Sequence, residues 1–280
     1  MISIVICSRH PKIDVFLEKN IKETIGDVQY EIVWIDNSNN RYSIFEAYNE
    51  GVSRSNGKYI CFMHEDVIYW SIGWGNRILC EFAEDKTIGM LGLIGSHLMT
   101  RFSFGWLTNQ KCRGMIRQGY GRGKNYRVET FCVTESDDKD RNVVVVDGLW
   151  MVIRKDLFDS IKFDVKTYEG FHFYDMDICM QILQRGYKII IVDKIDVEHK
   201  SSGNADFQYF QNCILFHKKW DAYLPVASSP VSQESMGKYE SSLMEFYFHC
   251  MGAYKEQKKM LNSIIHKIAT KLYLICKKGL

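Results

Sequence analysis

Lys58-Tyr-Ile-Cys-Phe-Met-His-Glu-Asp66 decides the fold. An unbroken apolar run stops abruptly at three polar side chains. Continuous runs of this kind, rather than alternation, suit strands buried on both faces, and such strands belong to parallel-rich sheets covered by helices. Working outward, the same design recurs. Ile2 to Cys7 is a β-branched run ending at Ser8-Arg9, and Glu31-Ile-Val-Trp-Ile35 ends at Asp36-Asn37-Ser38. Between these runs the apolar spacing turns helical. Ile13, Phe16, Leu17, Ile21 and Ile25 follow Pro11, which predicts a helix opened by that proline. Tyr42 to Ser55 predicts another, closed by Asn56-Gly57, and Trp74 to Asp85 a third, before a strand over Ile88 to Leu93. Strand and helix alternate at crossover length. The predicted class is α/β, with a mostly parallel central sheet flanked by helices.

From His97 to Asn142 the pattern dissolves into Gly, Arg, Asn and aromatics, the composition of a long functional loop. Within it, Gly119-Tyr-Gly121-Arg-Gly123-Lys124-Asn125 has the look of a phosphate cradle. It lacks the first glycine of that spacing, and Asn125 stands where Ser or Thr is needed, so it reads as a mobile loop closing over substrate. Val143 to Val146 and Leu149 to Ile153 then flank Asp147-Gly148, with a short helix over Lys155 to Ser160. Phe173 to Arg185 predicts a helix stopped by Gly186, Tyr187 to Val192 a strand, and Ala205 to Trp220 a helix. Pro225 to Pro230 marks a boundary. The organisation expected is a domain over 1–224, a linker over 225–235 and a helical C-terminal extension over 236–280.

The chain of 280 residues carries a net charge of only +2, which excludes a globally basic nucleic-acid coat. Residues 254–280 hold seven lysines against one glutamate, a local +6 that leaves the rest at −4. In this tail Leu261, Ile264, Ile265, Ile268, Leu272 and Ile275 share a helical face bordered by Lys258, Lys259, Lys267 and Lys271. Two readings stay open: a helix packed on the body or on a second subunit of a homodimer, or a basic amphipathic helix on an anionic membrane surface. Nine irregularly spaced cysteines without a C-x-x-C pair suit a reducing cytosol rather than a disulfide framework. The first residues do not read as a signal peptide, and no apolar stretch approaches the roughly 18 residues of a membrane span. A cytoplasmic protein is expected, with membrane contact at the inner face if the tail makes it.

The acids carry the chemistry. Asp36 and Asp66 each follow a strand, Asp147 sits between two strand-like runs, and Asp175 and Asp177 open a helix. Ligands of open α/β sheets bind beyond the carboxyl ends of strands, so these acids can converge on one pocket. Any one of them alone would be a turn or capping residue. A carboxylate cluster suits a divalent cation bridging two phosphates, and a separate carboxylate suits a general base for an incoming hydroxyl. His199 is placed to complete the metal shell.

Several segments, in order and spacing, resemble the family 2-type, nucleotide-sugar-dependent glycosyltransferases of GT-A fold, in particular the branch related to a streptomycin-biosynthesis protein. They are Ile2 to Cys7; Val33-Trp-Ile-Asp36-Asn-Ser38; Ala47-Tyr-Asn49-Glu-Gly51 leading to Gly57-Lys-Tyr-Ile60; Phe62-Met-His64-Glu65-Asp66; Asp147-Gly148 with Arg154; Tyr174-Asp175-Met-Asp177; and Val197-Glu-His199. The resemblance spans about residues 1–220. It implies transfer of a sugar from a nucleotide-diphosphate donor to a carbohydrate or lipid-linked hydroxyl acceptor, as in polysaccharide biosynthesis. Ser8, Arg9, Asp36, Asn37, Glu65 and Asp66 would bind the donor. Asp66, with Glu65 and His199, would hold Mn²⁺ or Mg²⁺. Asp175 would be the catalytic base, with inversion at the anomeric carbon. Asp147, Gly148 and Trp150 would border the sugar and the acceptor. Three positions depart from the family pattern: His64 replaces the first D-x-D acid, Tyr174 the acid before the catalytic Asp, and Tyr48 an arginine before Asn49. These departures leave a second function class open, a non-catalytic carbohydrate- or nucleotide-binding module on the same fold. A Ser-His-Asp hydrolase finds no support around Ser8, and a nucleotidyltransferase lacks its basic N-terminal phosphate loop.

Overall fold

The computed structural model describes residues 1–101, 103, 105, 111–121, 123–133, 140–200 and 206–241. The amphipathic tail over 254–280, and the 236–280 extension beyond residue 241, lie outside the described residues.

The chain opens with β1 (Ile2–Ser8), α1 (Val15–Thr24), β2 (Tyr30–Asp36), α2 (Ile44–Arg54) and β3 (Tyr59–Met63). It continues through β4 (Val67–Tyr69), α3 (Trp74–Glu84), β5 (Ile88–Gly92), β6 (Ile94–Ser96) and β7 (Leu98–Met99). A hairpin of β8 (Cys112–Tyr120) and β9 (Arg127–Cys132) follows, then β10 (Asn142–Val143), β11 (Val145–Val146) and β12 (Trp150–Arg154). Then come α4 (Tyr174–Gln184), β13 (Lys188–Ile191), β14 (Val197–His199), α5 (Phe207–Trp220) and β15 (Val226–Ala227), and the described residues 233–241 are helical.

Seven strands form the central sheet in the order β10-β13-β5-β12-β3-β1-β2. The sheet is mixed. β1 runs parallel to β2 and β3, and β13 runs parallel to β5, while β12 lies antiparallel between β3 and β5. The unbroken apolar runs have their physical reason here. Val5, Ile60, Phe62, Met151 and Ile153 face one layer with α2, α4 and α5; Ile4, Ile6, Cys61, Met63 and Val152 face the other with α1 and α3. The inner strands β1, β3, β5 and β12 bury both of their faces, which are therefore almost wholly apolar.

Local signals set the helix ends. α1 starts at Val15 rather than at Pro11 because the Asp14 carboxylate accepts from the backbone of Phe16 and Leu17, at 2.8 and 3.0 Å. α2 starts at a capping box, in which the Glu46 backbone donates to Ser43 Oγ and the Ser43 backbone to Glu46 Oε2. Gly51 lets α2 approach β1: a Cβ there would lie 2.3 Å from Val5 Cγ1.

A second sheet runs β11-β6-β8-β14-β4, with β9 paired to β8. It occupies part of the stretch where the sequence pattern dissolves. β9 reads poorly because its residues are mostly exposed and polar, as on an edge strand. The glycine-rich segment is the turn of this hairpin, with Gly121 and Gly123 at φ of +81° and +54° and Tyr126 N donating to Gly123 O. This corrects the reading of Gly119 to Asn125 as a loop over substrate. The start of the expected linker also docks on the body: β15 pairs with β7, and Ser228 N donates to His97 O. The seven described cysteines are all free. Among the described residues no helix is long and apolar enough to cross a membrane.

The α2–β1 contact gives a direct test. Gly51→Ala should cost about 1–3 kcal/mol by overpacking. Val5→Ala should then cost less in that background than in the wild type, measured by urea unfolding. Strictly additive costs would contradict the contact.

Candidate functional site

The site forms where four strand ends meet. β1, β2 and β3 run parallel, with Ser8 opposite Asp36, so their carboxyl ends share one edge. Because β12 is antiparallel, with Trp150 opposite Met63, its beginning lies at that same edge. The turn carrying Asp147 and Gly148 is thereby brought beside His64, whose backbone N–H donates to Leu149 O at 3.0 Å. β14 contributes from the second sheet. His199 is opposite Val67 there, which sets its imidazole near Asp66.

His64, Asp66 and His199 form a group whose ligand atoms lie within 4.8 Å of one another. His64 Nδ1 is 3.3 Å from His199 Nε2, and His199 Nε2 is 3.5 Å from Asp66 Oδ1. An ion with ligands at about 2.1 Å spaces neighbouring donors roughly 3 Å apart, so the group is close to coordination spacing. Burial, then the neighbouring His199, pulls the His64 pKa down to about 4, which keeps its imidazole neutral and able to ligate at neutral pH. These residues fit a divalent cation. Two imidazoles and one carboxylate suit Mn²⁺, Co²⁺ or Zn²⁺ better than Mg²⁺, which prefers oxygen.

Glu65 is not part of this group. Its carboxylate accepts from Ser8 Oγ and, at 3.4 Å, from the Arg9 backbone, so it ties the ends of β1 and β3 together. Asp36 is exposed, and hydrogen bonds donated by the Ser38 side chain and then by its backbone N–H hold its carboxyl below the usual range. It is placed to meet a ligand at the sheet edge. Asn37 is not: its amide both donates to Tyr42 O and accepts from Tyr42 N, each at 2.8 Å. That closes the loop and corrects its expected place among the donor contacts. Trp150 is corrected too. It is 0% exposed, and its indole N–H donates to the Tyr69 hydroxyl inside the core, so no sugar can reach its face. The aromatic ring at the site is Phe171, 45% exposed and 5.6 Å from the His64 ring, a residue with no sequence signal of its own.

Asp175 opens α4. Its Oδ2 accepts from Gly148 N at 3.0 Å and its Oδ1 from Met176 N at 2.9 Å. Burial, with the charge of Asp147, nevertheless pushes its pKa up to about 7. A carboxylate with that affinity for a proton is suited to general base work at neutral pH. Asp147 also bears on His64, so it stands between the metal group and Asp175 electrostatically. Asp177 has another role. It is 1% exposed and accepts from Tyr168, Gln181, Lys219 and Trp220, which pins α5 to α4. The residue ahead of α4, Phe173, has φ of +72° and packs on Tyr209 and Phe216 of α5. Such a conformation costs about 1–3 kcal/mol outside glycine and persists where packing enforces it.

The three departures touch each other. Tyr174 hydroxyl lies 2.8 Å from His64 Nε2, and the rings of Tyr174 and Tyr48 meet edge to face with centroids 5.4 Å apart. The two tyrosines are buried and stand behind His64.

A family model described as a glycosyltransferase-like family matches residues 5–220. None of the curated proteins matches the sequence. Among solved structures, S. aureus TarS 1–349 in complex with UDP-GlcNAc is similar at a TM-score of 0.52 and 11% identity, over 94% of this chain and 78% of that one. A second crystal structure of S. aureus TarS 1–349 gives 0.51 and 11%, over 96% and 78%. GalNAc-T7 with UDP, GalNAc and Mn²⁺ gives 0.51 and 11%, over 79% of this chain; the chain spans about half (49%) of that structure. At these identities the likeness is one of fold, the α/β fold of GT-A glycosyltransferases.

The two acids of α4 should separate in a stability experiment. A raised pKa in the folded state means that Asp175 contributes stability below the unfolded pKa, near 4, and loses it as pH rises through about 7. Asp175→Asn should therefore raise the melting temperature at pH 8, with the gain shrinking toward pH 4. Asp177→Asn should lower it at pH 8, at a cost of about 3 kcal/mol in stability, because Lys219 and the donors around it lose a buried carboxylate. Equal effects of the two substitutions would contradict the assignment.

Proposed function

The chain belongs to this glycosyltransferase-like family, and we propose that it transfers a sugar from a nucleotide-diphosphate donor to a hydroxyl of a carbohydrate or lipid-linked acceptor, with inversion. The observation that carries the reading is the pairing of two groups at one sheet edge: the His64–Asp66–His199 group and, beyond Asp147, the half-buried Asp175 carboxylate with a pKa near 7. Donor complexes of the similar folds, UDP-GlcNAc on TarS and UDP with Mn²⁺ on GalNAc-T7, support a nucleotide-sugar donor here.

In this mechanism Asp36 meets the base or ribose, Arg9 and Glu65 line the nucleotide side of the cleft, and the buried Ser8 hydroxyl holds Glu65 in place. His64, Asp66 and His199 hold a divalent cation, Mn²⁺ before Mg²⁺. Bound there, a divalent cation would supply positive charge to offset the charge of the leaving diphosphate. Asp175 Oδ takes the proton of the acceptor hydroxyl as its oxygen attacks the anomeric carbon opposite the leaving group, so configuration inverts. Gly148 N–H and Met176 N–H keep the carboxylate aimed. Asp147 raises the proton affinity of Asp175 and borders the sugar together with Gly148. The transferase domain is 1–224, in line with a family match that ends at 220. A cytoplasmic site of action, where nucleotide sugars are made, fits the free cysteines.

Asp175→Asn should abolish transfer while leaving donor affinity within a few-fold. In the wild type, kcat/KM should fall below about pH 7 as Asp175 protonates, and Asp147→Asn should move that limb to lower pH by removing the neighbouring charge. Calorimetric titration with UDP, GDP and dTDP, with and without Mn²⁺, tests the donor. Metal-dependent binding of one nucleotide supports the enzyme, and no binding of any favours the non-catalytic module.

A further inference from the structure

His64 has two ring nitrogens with different neighbours, and that difference has a chemical consequence. Nδ1 faces His199 and, past it, Asp66; Nε2 is 2.8 Å from the Tyr174 hydroxyl. A neutral imidazole carries one proton. For Nδ1 to offer its lone pair to a cation, that proton must sit on Nε2 and be donated to a buried acceptor. Tyr174 is that acceptor, and its ring is held edge to face against Tyr48.

Several elements are arranged around this one hydroxyl. Tyr174 and Tyr48 are both buried, with rings 5.4 Å apart and nearly perpendicular. Gly148, in the turn before β12, gives the hydroxyl its space: a Cβ there would lie 2.2 Å from Tyr174 Oη. The main chain of His64 is fixed by Leu149 O in the same turn. The ring therefore has a fixed backbone and a fixed partner on Nε2, while Nδ1 faces His199 Nε2 at 3.3 Å on the side of Asp66.

We propose that Tyr174, backed by Tyr48 and admitted by Gly148, is a positioning residue that holds His64 with Nε2 protonated and Nδ1 aimed at the cation, so that His64 is a metal ligand and the site selects Mn²⁺-type ions over Mg²⁺. The proposal rests on the metal-dependent reading of the site and deepens it. A phenol can donate to or accept from an imidazole, so Tyr174 partners Nε2 in either tautomer, whereas phenylalanine would leave the Nε2 proton buried without an acceptor once Nδ1 ligates. Outer partners of metal-bound histidines are commonly worth about 10–100-fold in affinity. Two imidazoles with one carboxylate also favour borderline cations, and returning an acid to position 64 should shift the preference toward Mg²⁺.

The test is calorimetric titration of the full chain with Mn²⁺ and with Mg²⁺, alongside the visible absorption of the Co²⁺ form. The wild type should prefer Mn²⁺. Tyr174→Phe should weaken Mn²⁺ about 10–100-fold and shift the Co²⁺ bands, with the metal-free melting temperature changed little. His64→Ala should weaken Mn²⁺ at least as much, and His64→Asp should lower the Mn²⁺-to-Mg²⁺ ratio. If Tyr174→Phe and His64→Ala both bind Mn²⁺ like the wild type while Asp66→Ala does not, the proposal falls and the metal-dependent reading stands. If the wild type binds neither ion, with or without UDP, both fall.

Discussion

The antiparallel docking of β12 between β3 and β5 is the constraint on which the site depends. Were β12 parallel, the Asp147–Gly148 turn would lie at the opposite end of the sheet from His64. With Trp150 opposite Met63, that turn meets the end of β3, fixes the His64 backbone, donates to Asp175 and makes room for Tyr174. A single register therefore organises both candidate functional groups. A slip of one residue would turn Trp150, Val152 and their alternates to the wrong layers, so core packing enforces the register.

The electrostatics follow from that placement. His64 and Asp175 are both drawn toward their neutral forms by burial, and Asp147 acts on both. Asp177, only two residues from Asp175, is surrounded by donors and holds two helices together. Position on the helix separates these carboxylates: one turns to the cleft and keeps a high proton affinity, the other turns to the α4–α5 interface. The left-handed Phe173, held by α5, sets the point at which α4 begins and hence which acid faces the cleft.

Much of this was legible in the chain. The apolar runs of β1, β2, β3 and β5 announce buried strands, and the acids after them mark the ligand edge. The helices fall within a few residues of their expected ends. What the sequence hides is whatever depends on a partner distant in the chain. β9 is an exposed edge strand with no apolar period, and the glycine-rich turn before it resembles a phosphate loop. Trp150 and Asn37 look like contact residues until the core and the Tyr42 backbone claim their polar atoms. The link from His64 to Tyr174 spans 110 positions. Read singly, His64, Tyr174 and Tyr48 look like losses from a metal site; brought together, they form an alternative support for one.

Anomalous diffraction at the manganese edge, from crystals grown with Mn²⁺ and UDP, tests the central claim most directly. The account requires one strong peak within coordination distance of His64 Nδ1, His199 Nε2 and Asp66, with the diphosphate on its open side. A peak held by Glu65 and Asp66 alone, with His64 turned away, or no peak between β3 and β14, would contradict it.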